Sequence, residues 1–112
     1  MYNNYKNDCD YAAFRESLKG WGWKTHVRPL VDYCEAHNIC ICQIKEKFGG
    51  LRFYTAGHTK DFQKLLEAAE IACDKTCEFC GDPGKLRSGD WLTVRCDKCE
   101  AIHEADRQNK DS

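Results

Sequence analysis

No apolar run in this 112-residue chain approaches the roughly 20 residues that a membrane-spanning helix needs, and no apolar leader stands at its start. Both absences predict a cytoplasmic protein with no membrane partner. Charge of neither sign is in excess: 17 lysines and arginines stand against 18 aspartates and glutamates, a net −1. Strong non-specific affinity for nucleic acid rests on many lysine and arginine contacts to phosphate, so the balance counts against it, and any such role must come from a local patch. Internal repeats and low-complexity tracts are missing too, and the length suits one domain, or one small domain with an appendage. No phosphate-loop or nucleophile–base pattern is visible, and the histidines, His26, His37, His58 and His103, are scattered without a motif. The chain is therefore expected to bind rather than to catalyse.

What the chain has in quantity is cysteine. There are nine, an odd number, and with no leader they argue for a reducing compartment rather than a disulfide framework. Four are patterned. Cys77-Glu78-Phe79-Cys80 is followed, after fifteen residues, by Cys96-Asp97-Lys98-Cys99. A two-residue gap lets a tight knuckle aim both sulfurs at one metal about 2.3 Å away, and tetrahedral zinc takes two such pairs. Gly81 stands where a knuckle needs positive φ, and Phe79 is placed to shield the sulfurs. A helix is expected over Glu100–Arg107, with Ala101, Ile102 and Ala105 on one side, after a hairpin around Gly89 whose apolar side is Trp91, Leu92 and Val94. Knuckle, hairpin and helix in that order form a treble clef; a zinc ribbon is the alternative. Four thiolates leave no open position, so the zinc is expected to be structural. Treble clefs that act as nucleases need a histidine on the hairpin feeding the helix, and Trp91 to Arg95 contains none. His103 reads as a solvated helix residue. Cys9, Cys34, Cys40, Cys42 and Cys73 read as small core residues.

The elements predict an α+β fold: three helices and a β-hairpin over residues 1–73, with the four-cysteine zinc module packed on it over 74–108. Residues 1–7 read as a loosely held arm. Asp8 or Asp10 caps a helix carrying Tyr11, Phe14 and Leu18 that stops at Gly20. Trp21-Gly22-Trp23 is either core or an aromatic platform for a ligand ring. Thr25 is expected to cap a second helix with Pro29 in its first turn, Leu30, Val31, Cys34 and His37 on its buried side, and Asn38 at its end. Thr59 or Asp61 opens a third, with Phe62, Leu65, Leu66, Ala69 and Cys73 at helical spacing.

Between the second and third helices, residues 39–55 read as a hairpin turning at Gly49-Gly50, with Phe48 opposite Leu51. One face then holds Cys42, Ile44, Phe48, Leu51 and Phe53, with Glu46 as the exception. The other holds Gln43, Lys45, Lys47, Arg52 and Tyr54. Three cations and a phenol on one side of a ribbon form a candidate anion site, since arginine suits bidentate phosphate contact and tyrosine suits stacking. Solvated lysines on an outer face are the plainer reading of the same pattern.

The segments QIKEKFGGLRFYTAG (43–57), CEFCGDPGKLR and WLTVRCDKC (within 77–99) together resemble a group of small, largely uncharacterised proteins encoded by bacteriophages and prophages. The resemblance covers about residues 26–103 and leaves out the first twenty-five. It implies a phage accessory protein acting in the host cytoplasm, and by analogy one that interferes with host processes or defence. Three roles follow as expectations. One is a non-enzymatic protein that sequesters a nucleotide-type immune signal, with Lys45, Lys47 and Arg52 on phosphate and Tyr54, Trp21 or Trp23 on the base. Another is a protein-interaction module that inhibits a host factor. The third is a weak nucleic-acid binder using Lys85, Arg87, Arg95 and Lys98. The ribbon edge and the tryptophan pair could each support a homo-oligomer.

Overall fold

A computed structural model describes residues 9–88 and 92–111. The arm at 1–7, the hairpin tip at Gly89 and the side chain of Trp91 lie outside the described residues. The fold is α+β, with four helices and two small antiparallel sheets of two strands each among the described residues.

Helix α1 (Tyr11–Ser17) starts at Asp10, whose carboxylate accepts the Ala13 N–H at 3.0 Å and so satisfies one amide of the open first turn. Leu18 is its buried anchor, and Gly20 turns the chain at φ 80. Helix α2 (Lys24–Ala36) begins earlier than expected. Trp23, not Thr25, is its N-cap and has no side-chain capping bond, and Pro29 lies inside the helix rather than in the first turn. The lost backbone bond is tolerated because Val27, Leu30, Val31 and Cys34 are all buried, so tertiary packing holds the helix. His37 is exposed, not core: it stacks on Tyr33 with centroids 4.0 Å apart. Asn38 ends the helix at φ 56, a conformation asparagine accepts more readily than most.

Strands β1 (Ile41–Lys47) and β2 (Gly50–Thr55) pair antiparallel. The turn sits one residue earlier than expected, at Phe48-Gly49, with φ 55 and 80. Lys47 therefore faces Gly50, Lys45 faces Arg52 and Ile44 faces Phe53. Phe48 leaves the core face and is 68% exposed. A register irregularity between Ile41 and Gln43 puts Cys42 out in solvent, so it too is removed from the core face where the alternation placed it. Glu46 keeps its inner position by accepting the Gly49 N–H at 2.7 Å, which closes the turn.

Helix α3 (Lys60–Asp74) is capped by Thr59, whose hydroxyl accepts the Phe62 N–H at 3.1 Å. It buries Phe62, Ala69 and Cys73, while Leu65 stays 44% exposed. Beyond it come β3 (Lys85–Arg87), β4 (Thr93–Arg95) and α4 (Asp97–Asp111). Ala101, Ile102 and Ala105 of α4 are exposed rather than packed. One buried cluster joins Leu18, Trp23, Val27, Leu51, Phe53 and Phe62 to Val94 of β4. Among the described residues no helix is long and apolar enough to cross a membrane.

Candidate metal centre

Cys77 ends the segment leaving α3, and Cys80 closes a tight knuckle. The Gly81 N–H donates to the Cys77 carbonyl at 3.0 Å, and Gly81 takes φ 86, a value that strains any residue with a Cβ. The Cys77 N–H donates to Asp82 O at 2.7 Å, and Thr76 bridges to Pro83, so the knuckle is pinned on both sides. Cys96 follows β4 directly, and Cys99 lies in the first turn of α4. Their four sulfurs lie within 4.8 Å of one another, with Cys80 and Cys96 3.5 Å apart. A tetrahedral ion with bonds of about 2.3 Å needs sulfurs about 3.8 Å apart, so the four fit one metal, and the donor set is compatible with zinc.

The thiols are not equivalent without metal. Burial alone would raise Cys77, but the backbone N–H groups of Cys96, Cys80 and Phe79 point at its sulfur and bring it down to about 6. Cys99 is pushed up to about 12, first by desolvation and then by the neighbouring sulfurs. Metal binding must displace such protons.

Two arginines neighbour the sulfurs. Arg95 is buried and pairs with Glu100 at 2.7 Å, its guanidinium 5.5 Å from the Phe79 ring centre. Arg87 donates to the Arg95 carbonyl at 3.1 Å and to Asp97 at 2.7 Å. Phe79 is 54% exposed and Cys80 is exposed, so the expected aromatic shield over the sulfurs is only partial. Of the basic set considered for nucleic acid, Arg87 and Arg95 are thus paired with carboxylates of the chain itself, Asp97 and Glu100. His103 is exposed on α4.

Sequence reasoning missed what the Trp21-Gly22-Trp23 segment does. Trp23 is fully buried and donates through Nε1 to the Thr76 carbonyl at 2.7 Å, so it is core and offers no platform. Trp21 is half-buried, and its Nε1 donates to the Glu78 carboxylate at 3.1 Å. Between them the Gly22 N–H donates to Glu78 O at 2.6 Å. A Cβ on Gly22 would collide with the Cys77 carbonyl oxygen and lie 2.6 Å from the Glu78 carbonyl carbon. The segment lies backbone against backbone on the knuckle. A glycine locked between two tryptophans was the one available sign of it.

The structure does gather the cations of the first hairpin. Lys45 faces Arg52 and Gln43 faces Tyr54 across the strands, with Lys47 next along the same face. The one-residue change of turn leaves this grouping intact, because the sum of paired positions changes by two and each side chain keeps its face. Trp21 is separate from most of this set. It shares a groove of about 330 Å³ with Lys45, but Glu46 and Glu78 line that groove too, and Lys47 and Arg52 do not. Sequence reasoning also placed Phe48 in the core. It stands instead at the tip of the basic ribbon, next in the chain to Gly49, which approaches the Leu86 side chain and the backbone at Leu92 and Thr93.

No protein-family model, curated protein or solved structure matches the chain.

Proposed function

We propose that this chain is a non-enzymatic protein-interaction module, held together by a structural zinc ion in a treble-clef arrangement, that grips an acidic surface of a partner protein with the tip and outer face of its first hairpin. The observation that carries the reading is Phe48. A primed two-residue turn favours Asn-Gly or Gly-Gly, since both central residues take positive φ. Here the first is a phenylalanine at φ 55, with 68% of its surface in water. The strain is of order 1 kcal/mol, and the ring gains little burial in exchange. Apart from the Lys47 ammonium 5.5 Å from its ring centre, worth about 0.5–1 kcal/mol at an exposed site, folding gives the ring little, whereas a contact made on binding accounts for it. Aromatic and arginine side chains dominate the energy of interfaces, and the Phe48 tip directly follows the strand that carries Lys45 and Lys47. The resemblance to phage proteins supports a host factor as the partner.

A nucleotide-type ligand on the same face is the second reading, favoured by the Lys45–Arg52 and Gln43–Tyr54 pairs. It loses Trp23 to the core, and small ligands prefer a concave, largely apolar pocket to an open ribbon. Capture of the partner from host lysate by the immobilised chain tests the proposal. Phe48→Asn and the double variant Lys45→Glu/Lys47→Glu should each lose capture, while Lys64→Glu on α3 should retain it. Equal capture by all the variants would contradict the proposal. A nucleotide-sized mass released from the native protein on denaturation would favour the second reading.

A further inference from the structure

We infer that the Trp21-Gly22-Trp23 segment is a working part of the metal centre, a clamp that holds the first cysteine knuckle in its metal-binding shape, so that the affinity for zinc is set partly by residues far from the ligands in sequence. Three contacts carry this, and all fall on the knuckle backbone or its carboxylate. Gly22 N–H holds Glu78 O at 2.6 Å, and Trp23 Nε1 holds Thr76 O at 2.7 Å. Trp21 Nε1 holds the Glu78 carboxylate at 3.1 Å, and the same carboxylate accepts the Thr93 hydroxyl at 3.2 Å. Thr76 and Glu78 flank Cys77, so the clamp grips the chain on both sides of a ligand. Glu78 N–H in turn donates to Val94 O at 2.9 Å, two residues before Cys96. Through Glu78 the clamp therefore ties the strand of the second cysteine pair to the knuckle of the first. On the other side, Gly81 approaches so closely that a Cβ there would sit 3.1 Å from the Gly22 carbonyl oxygen. Gly22 is thus enclosed by Cys77 and Glu78 at the start of the knuckle and by Gly81 just after Cys80.

The chemistry is that of outer-shell support. Contacts that favour the metal-binding shape of the knuckle lower the cost of ordering it when the ion binds, and groups that orient a ligand commonly change metal affinity by about tenfold to a hundredfold. Gly22 and Trp21 are positioning residues here and touch no metal.

Zinc affinity of the full chain, measured by competition with a chromophoric chelator, tests the clamp, with the visible absorption of the cobalt(II) form reporting tetrahedral geometry. Gly22→Ala should weaken zinc by about tenfold or more and broaden the cobalt bands. Val31→Ala, a core change in α2 that touches none of the three clamp contacts, serves as the comparison at equal loss of thermal stability; it should weaken zinc clearly less than Gly22→Ala and leave the cobalt bands unchanged. If Gly22→Ala does not fold, Trp21→Phe keeps an aromatic ring but removes the indole donor to Glu78, and should weaken zinc by about fivefold. The inference is overturned if the clamp variants bind zinc as tightly as the unaltered chain, or if Val31→Ala weakens binding as much as they do.

Discussion

Single side chains here hold positions that their own chemistry explains once their neighbours are known. Trp23 supplies the largest fully buried side chain among the described residues, and its indole N–H has a partner in Thr76 O. Trp23→Ala should therefore cost about 3–5 kcal/mol, read from denaturant unfolding of the zinc-loaded chain. Glu70 illustrates the opposite sign. Desolvation by burial raises its pKa above the ordinary 4.5, Glu67 and Asp74 add to the rise, and Arg52 opposes it. The folded state then holds the proton more tightly than the unfolded one. Its contribution is most favourable below 4.5 and is lost as pH rises through the raised value. Glu70→Gln should accordingly gain stability over the natural chain as pH increases towards neutrality, and lose that advantage in acid. A constant difference across a pH series of thermal melts would contradict this.

At the scale of elements, the sequence was most legible where local chemistry decides. The Asp10 and Thr59 caps, Leu30, Val31 and Cys34 in the buried stripe of α2, and the clustering of the two cysteine pairs depend on near neighbours and on fixed spacing, and each stands where the residues implied. Alternation also sorted the cations of the first hairpin onto one face. It failed at Phe48, because Gly49-Gly50 is the better turn by local preference, yet the tertiary fold puts Gly49 against Leu86 and turns one residue early. Cys42 failed for a related reason, since a bulge is invisible to a period of two. The same strained turn makes a prediction. Phe48→Asn should stabilise the isolated protein by about 1 kcal/mol while removing partner capture. A loss of stability would show that the phenylalanine belongs to the fold instead.

Over the whole molecule, the two halves are joined in ways that neither half announces. The core cluster runs from α1 to β4, and the Trp21-Gly22-Trp23 clamp reaches across to the knuckle, so zinc and the helical part should stabilise one another. No spacing rule connects Gly22 with Cys77, since that contact exists only after the chain has folded. The measurement that tests the account most directly is native mass spectrometry of the full chain, paired with circular dichroism before and after chelation. The account predicts one zinc ion per chain, loss of that ion in Cys80→Ser/Cys96→Ser, and a loss of ordered structure on chelation that extends to the tryptophans. A chain that folds fully and keeps its melting temperature without bound metal would contradict it.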